Sequence, residues 1–381
     1  MFTFTEDQMS IRDMVREFAE KEIRPKADEV DKTGRFPLET ITALTEMGIM
    51  GLNIPEEYGG AGMDEICKVL AISEISRCCA STAEIVAVHL LVNDIILRNG
   101  SEEQKQQFLS AAVEGKLGAF CLTEPGAGSD AGGLKTKAVK DGDHFILNGT
   151  KCFISNFGPE EGHHFVIIAL TDVEKGTRGG MTAFLVQRDT PGLSLGKTEE
   201  KMGMRGAAVS ELVLEDCRVP ESAVMGQVGD GFKIAMSGLD GGRIGIAAQS
   251  VGLAQGALEE GVKYAKERIQ FGKPISANQG LQWYIADMST RTECARLLML
   301  EAASKRQNGE GNVSQYASMA KYYAAETATY VCDLALQLHG GYGYMKDYPI
   351  ERMYRDARIL RIYEGTSEIQ KIVIAKQVLR G

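Results

Sequence analysis

Residues 361–370 read Arg-Ile-Tyr-Glu-Gly-Thr-Ser-Glu-Ile-Gln. A carboxylate, a glycine and two hydroxyls stand immediately before a segment of helical periodicity. Ser367 and Gln370 have capping-box spacing, and Ile369, Ile372 and Val373 make one apolar stripe, so the pattern predicts a helix beginning near residue 367. Glu364 then lies just outside a helix N-terminus, where Gly365 lets the backbone come close to a ligand. That arrangement suits a positioned general base. A carboxylate that merely favours the positive end of a helix dipole fits the same residues.

Further stretches carry chemistry of a related kind. Gly126-Ala127-Gly128-Ser129-Asp130-Ala131-Gly132 has the wrong spacing for a GxGxxG fingerprint, and the residues after it are strand-like, which argues against a nicotinamide site. Thr123 to Asp130 reads as a loop of glycines, hydroxyls and free backbone N–H groups, suited to a polar ring edge or a phosphate. It reads equally as an ordinary Gly-Pro loop. In Lys151-Cys152-Phe153-Ile154-Ser155-Asn156, Phe153 and Ser155 point to one side of a strand. That pair suits a flat cofactor, or is a core aromatic beside a surface serine. Arg268-Ile269-Gln270-Phe271-Gly272 and Gln337-Leu338-His339-Gly340-Gly341-Tyr342 each come at the end of a helix. Both suit a diphosphate and a nucleotide, and both fit helix-end chemistry.

The elements that must position these residues change character along the chain. Its 381 residues are enough for two or three domains. Residues 1–117 read as helices with short polar turns. The N-terminal one is capped by Thr5 with Gln8 three residues on, and Ile11, Met14, Val15 and Phe18 form its apolar stripe. Ser81 to Arg98 reads as a buried helix. Residues 118–228 shift to strand periodicity, with turn dipeptides at Asp141-Gly142 and Asn148-Gly149, and predict a small barrel or sandwich. Residues 229–381 return to helix: Ile234 to Tyr264 broken at Asp240-Gly241-Gly242-Arg243, then about 281–307 and 313–338. The layout is α+β, not the βα alternation of a Rossmann chain.

Charge and cysteines narrow the classes. A net charge of −10 argues against a general nucleic-acid or anionic-membrane surface, though not against a local basic pocket. No run of 18 apolar residues appears, so no insertion into a membrane is expected. No CxxC pair or zinc spacing occurs among the eight cysteines, and the histidines lack ligand spacing, so no metal is expected and the thiols read as reduced and mostly buried. With no visible targeting segment, a bacterial cytoplasmic location is expected; a processed organelle-matrix protein would look the same.

Together the segments resemble the acyl-CoA dehydrogenase family over essentially the whole chain. The resemblance rests on LTEPGAGSD at 122–130, KCFIS at 151–155, LDGGR at 239–243, RIQFG at 268–272 and YEGTSEIQ at 363–370, in that order. It implies an N-terminal helical domain, a middle β-barrel and a C-terminal four-helix bundle. It also implies a homotetramer with one FAD per subunit and an electron-transferring flavoprotein as acceptor. By matching position, Phe120, Leu122, Thr123, Phe153, Ser155 and Thr366 would contact the flavin. Arg268, Phe271, Gln337 and Gly341 would reach the pyrophosphate and adenosine from a neighbouring subunit. Ser129, Asp240 and Arg243 would hold CoA, Gly365 would pack on the thioester, and Glu364 would take the Cα proton while flavin accepts hydride from Cβ. Some relatives carry the base at the position of Gly242, which has no side chain here.

Glu84 departs from the family pattern. It falls on the helix lining the acyl end of the pocket and shares a face with Val88 and Leu91. It is expected either to face solvent or an arginine, or to set a polar group beside an unusual acyl chain. The surroundings of residues 277–282 and 339–348 resemble short- or branched-chain members, isobutyryl- and butyryl-type among them; Glu84 keeps an alicyclic thioester open. An oxygen-using fold-mate is disfavoured by chain length and by Glu364. A catalytically silent flavoprotein or assembly partner of the same fold would lack the base or the flavin contacts, and neither loss is seen.

Overall fold

The computed structural model describes residues 3–380. The N-terminal helices are α1 (Glu6–Phe18), α2 (Ala27–Thr33), α3 (Leu38–Glu46), α4 (Glu65–Cys78), α5 (Ala80–Asn99) and α6 (Glu102–Val113). Thr5 and Gln8 form the expected reciprocal cap on α1. Along its stripe Val15 is buried, Ile11 and Phe18 pack against the core, and Met14 is exposed. By length and composition α5 is apolar enough to cross a membrane, but 94% of that window is buried inside the protein. It is a core helix, and its burial on all sides explains the near-continuous apolar run.

The middle region holds β1 (Leu117–Cys121), β2 (Lys137–Asp141), β3 (His144–Ser155), β4 (Gly162–Leu170), β5 (Met181–Gln187), β6 (Leu193–Thr198), β7 (Val209–Pro220) and β8 (Val224–Met225). They form one eight-stranded sheet in the order β6-β7-β3-β2-β4-β5-β8, with β1 parallel to β4. Asp141 pairs with His144, so Gly142-Asp143 is the two-residue turn between β2 and β3. Near its end β3 slips: Lys151 pairs with Leu212 and Ile154 with Ser210, leaving Cys152 and Phe153 opposite one residue. Phe153 takes φ +58 in this bulge, which turns its ring out of the sheet.

The chain then returns to helix: α7 (Gly231–Glu267), the hairpin β9 (Ile269–Gln270) and β10 (Lys273–Pro274), α8 (Gln279–Gln307), α9 (Val313–His339), α10 (Ile350–Ala357) and α11 (Ser367–Val378). The interruption expected at Asp240–Arg243 is absent, and α7 runs unbroken through it. Glycine weakens an isolated helix, but α7 is packed against α4, α5, α8 and α9, and tertiary contact overrides propensity. At Gly252 a Cβ would stand 2.1 Å from the Ser73 carbonyl oxygen on α4, so a missing side chain is what lets the two helices touch.

Gly252→Ala should therefore force α4 and α7 apart and lower the unfolding free energy by about 2–3 kcal/mol. Urea unfolding of the purified protein checks this, and an unchanged midpoint would refute the close-contact account.

Candidate active site

Glu364 and Gly365 form a left-handed turn between α10 and α11, with φ +53 and +90. The conformation is unfavourable for glutamate and costless for glycine. Three side-chain hydrogen bonds hold it. Gln370 Nε2 donates to the Glu364 carbonyl at 3.0 Å and to the Gly365 carbonyl at 2.9 Å. Lys321 Nζ, from α9, donates to the Gly365 carbonyl at 2.6 Å. The cap differs from the one the spacing suggests. Thr366 accepts from Ile369 N at 3.3 Å, while Ser367 Oγ turns away to Glu326. Gln370 reaches back to the turn instead of closing a capping box. The expected stripe is also not buried as such, since Ile372 is exposed.

The Glu364 carboxylate points inward. Its Oε2 is shut from solvent and has no hydrogen-bond partner. A Cβ on Gly242 would lie 2.6 Å from that oxygen and 3.3 Å from Leu91 Cδ2, so the glycine makes room for the carboxylate. Burial pushes Glu364 up to about 7, and the charge of Glu84 adds to the rise; Arg243 and Lys321 oppose it.

Glu84 lies on α5 beside this group. It is 4% exposed, accepts from Ser155 Oγ at 3.1 Å, and leaves its own Oε2 buried without a partner. It thus neither faces solvent nor, among the described residues, pairs with an arginine. Burial raises it to about 6, and the nearby polar groups of Tyr363, Ser155 and Gln249 oppose the rise. The Tyr363 hydroxyl donates to Gln249 Oε1, and Gln249 Nε2 donates to the Ala80 carbonyl at 2.8 Å. Five sequence-selected residues therefore meet here: Glu364, Gly365, Glu84, Ser155 and Arg243.

Other selected residues sit around this pocket. At the end of β1, Phe120 is partly buried, Leu122 buried and Thr123 half-buried. A buried ion pair fixes the loop after them: Lys151 Nζ donates to the Leu122 carbonyl at 3.1 Å and Glu124 at 2.7 Å, and Glu124 accepts from the Lys135 and Thr136 amides. Phe153 presents a ring that is 65% exposed, next to Ser155. Asp240 holds Arg243 at 2.7 Å and accepts from Ser314; both line a cleft of about 190 Å³ with Lys376 and Arg380. Arg268 and Gly341 line a larger cavity of about 510 Å³ with His339 and Tyr342, the guanidinium lying 5.2 Å over the Tyr342 ring. Phe271 is almost wholly exposed at φ +50. Ser129 and Gln337 are exposed and line neither cavity.

Family models match three consecutive parts of the chain: acyl-CoA dehydrogenase N-terminal domain at 5–116, middle domain at 119–217 and C-terminal domain at 229–379. The chain belongs to the acyl-CoA dehydrogenase family. It is 50% identical to acryloyl-CoA reductase (NADH) of Anaerotignum propionicum, over 100% of this chain and 96% of that one. It superposes on butyryl-CoA dehydrogenase of Megasphaera elsdenii with TM-score 0.97 and 42% identity, over 100% of both chains. It matches equally, at TM-score 0.97, 45% identity and full coverage of both, a chain from a study of the electron transferring flavoprotein of Acidaminococcus fermentans and flavin-based electron bifurcation.

This acyl-CoA dehydrogenase is thus an oxidoreductase acting on a CH–CH bond of an acyl-CoA, and its cofactor is FAD. The residues present fit a flat, charged dinucleotide. Phe153 offers a free aromatic face beside a hydroxyl, and the cavity of Arg268, Gly340 and Gly341 offers a cation and side-chain-free backbone, as a pyrophosphate requires.

Three residues at the site escaped the sequence reading: Gln249, Lys321 and Tyr363 as a hydrogen-bonding group. For Lys321 a signal existed. It stands among Ala317, Ser318, Ala324 and Ala325, all buried, so a lysine occupies a face of small residues.

Gly242→Ala should displace the Glu364 carboxylate without breaking the fold, because the clash falls on the end of a flexible side chain. Turnover should drop by about tenfold to a hundredfold with FAD content unchanged. A variant with full activity would mean that the carboxylate has room to spare.

Proposed function

We propose that this enzyme interconverts a short-chain acyl-CoA and its 2-enoyl-CoA, with Glu364 as the base at Cα. The observation that carries this reading is the buried, unpartnered Glu364 oxygen, held on a left-handed turn and pushed up to about 7. An α-proton of a thioester is a weak acid. A desolvated carboxylate binds a proton more strongly than one in water and so closes part of that gap. In the reverse direction the same carboxyl returns the proton to Cα. The butyryl- and acryloyl-CoA relatives support a short chain, one by oxidation and one by reduction.

Bound FAD supplies the two-electron chemistry at Cβ. The protein's own task is to orient and to exclude water. Leu122, Thr123, Phe120, Phe153, Ser155 and Thr366 would face the flavin. Arg268, Phe271, Gln337 and Gly341 would hold the diphosphate and adenosine end. The nearly complete exposure of Phe271 supports a contribution across a subunit interface in a homotetramer. Asp240 and Arg243, with Ser129, would hold CoA. An electron-transferring flavoprotein is the proposed redox partner, supported by the study to which one matching structure belongs.

Glu84 closes the acyl end of the pocket. Its Oε2 is already buried without a partner, so a hydrocarbon ring packed there gives it no hydrogen bond. The preference for the short-chain reading over the alicyclic one rests on the butyryl- and acryloyl-CoA relatives.

Anaerobic titration with butyryl-, isobutyryl-, octanoyl- and cyclohexanecarboxyl-CoA, following flavin bleaching, tests the proposal. Butyryl-CoA should bleach fastest, and Glu364→Gln should slow the step by about 10²–10⁴-fold. Because the base must be ionised, kcat/KM should fall as pH drops through about 7. Glu84→Gln removes a neighbouring negative charge and should move that fall to lower pH. Fast bleaching by Glu364→Gln, or a preference for the cyclohexane thioester, would overturn the corresponding claim.

A further inference from the structure

Lys321 is a lysine with no measurable exposure, on a face of α9 built of alanines and Ser318. Burying an ammonium is costly, and burial here disfavours its charged form. Its Nζ makes a 2.6 Å hydrogen bond to the Gly365 carbonyl, the residue directly after Glu364. That carbonyl belongs to the two-residue left-handed turn, where glutamate is held against its own preference. Gln370 shares the same carbonyl from α11, so the turn is clamped from two helices.

The ammonium and the carboxylate also act on each other through their charges. The charged groups around Glu364 are Glu84 from α5, Arg243 from α7 and Lys321 from α9. Around Lys321 they are Glu364 first, then Arg243, Glu326 and Glu368. Burial brings Lys321 down to about 8, so it still carries its proton at neutral pH.

We propose that Lys321 is a positioning residue for the base: it fixes the Glu364–Gly365 turn through the Gly365 carbonyl and, with Arg243, supplies positive charge that favours the ionised form of Glu364. The inference rests on Glu364 being the base. Lys321 does not touch the reacting atoms; it acts through the turn and through its charge. Arg243, tied to Asp240, acts on Glu364 more strongly through its charge, but of the two cations only Lys321 also bonds the Gly365 carbonyl that holds the turn.

The test is the pH dependence of kcat/KM in FAD-loaded Lys321→Met and Lys321→Gln, beside Glu364→Gln. Both lysine variants should retain flavin and tetramer size. Each should shift the acid limb upward by about one pH unit. Lys321→Gln, which keeps a donor, should recover more of the plateau rate than Lys321→Met. The direction is opposite to that for Glu84→Gln, so general loosening of the pocket cannot mimic both. An inactive Glu364→Gln with lysine variants whose profiles overlie the parent would overturn the role of Lys321 alone. An active Glu364→Gln would overturn the base assignment itself. If Lys321→Met fails to fold, the profile of Lys321→Gln decides.

Discussion

The site depends on shutting one oxygen of a carboxylate from water without pairing it. An ion pair within bonding reach would hold Glu364 ionised but too weakly basic for a thioester proton, while complete isolation would leave it protonated. The structure takes a middle course. One oxygen of Glu364 has no partner, a second carboxylate lies nearby, and two cations act from farther away. The result, about 7, is the region in which a base is both populated and strong.

Each helix around the site is shaped by that requirement. The buried helix α5 carries Glu84 and Leu91 on one side. Gly242 on α7 gives Glu364 the room a methyl group would take. Lys321 on α9 and Gln370 on α11 hold the turn that aims the carboxylate. The sheet contributes Ser155 from the strand whose bulge turns Phe153 outward, so one register shift positions both a hydroxyl and an aromatic face. Helices and sheet must dock correctly before any of this exists, because no single element contains the pocket.

Local pattern made much of this legible. The three-part layout, the capped first helix, the buried α5 and the Glu364–Gly365 approach are all readable from periodicity and residue type. What pattern missed was tertiary. Gly241-Gly242 reads as a break, yet α7 continues because α4, α5, α8 and α9 surround it. Ser367 reads as a cap, yet Thr366 takes that place because Ser367 has Glu326 to bond. Glu84 reads equally as a surface residue, since a glutamate's burial is decided by what packs over it. Ser155, Tyr363 and Gln249 come from three distant segments, and only the fold brings them to its carboxylate.

The two glutamates act on one another. If Glu84 ionises first, near 6, its charge disfavours ionisation of Glu364 and raises the latter's proton affinity. Ser155, donating to Glu84, stabilises the ionised form of that residue. A single hydroxyl on β3 thereby influences the basicity of a carboxylate on a different domain, with Glu84 as the intermediary. The acyl end of the pocket and the proton-accepting end are consequently one electrostatic unit. An acyl chain that covers the part of Glu364 still open to solvent raises its proton affinity further, so closing the pocket strengthens the base where the α-proton arrives.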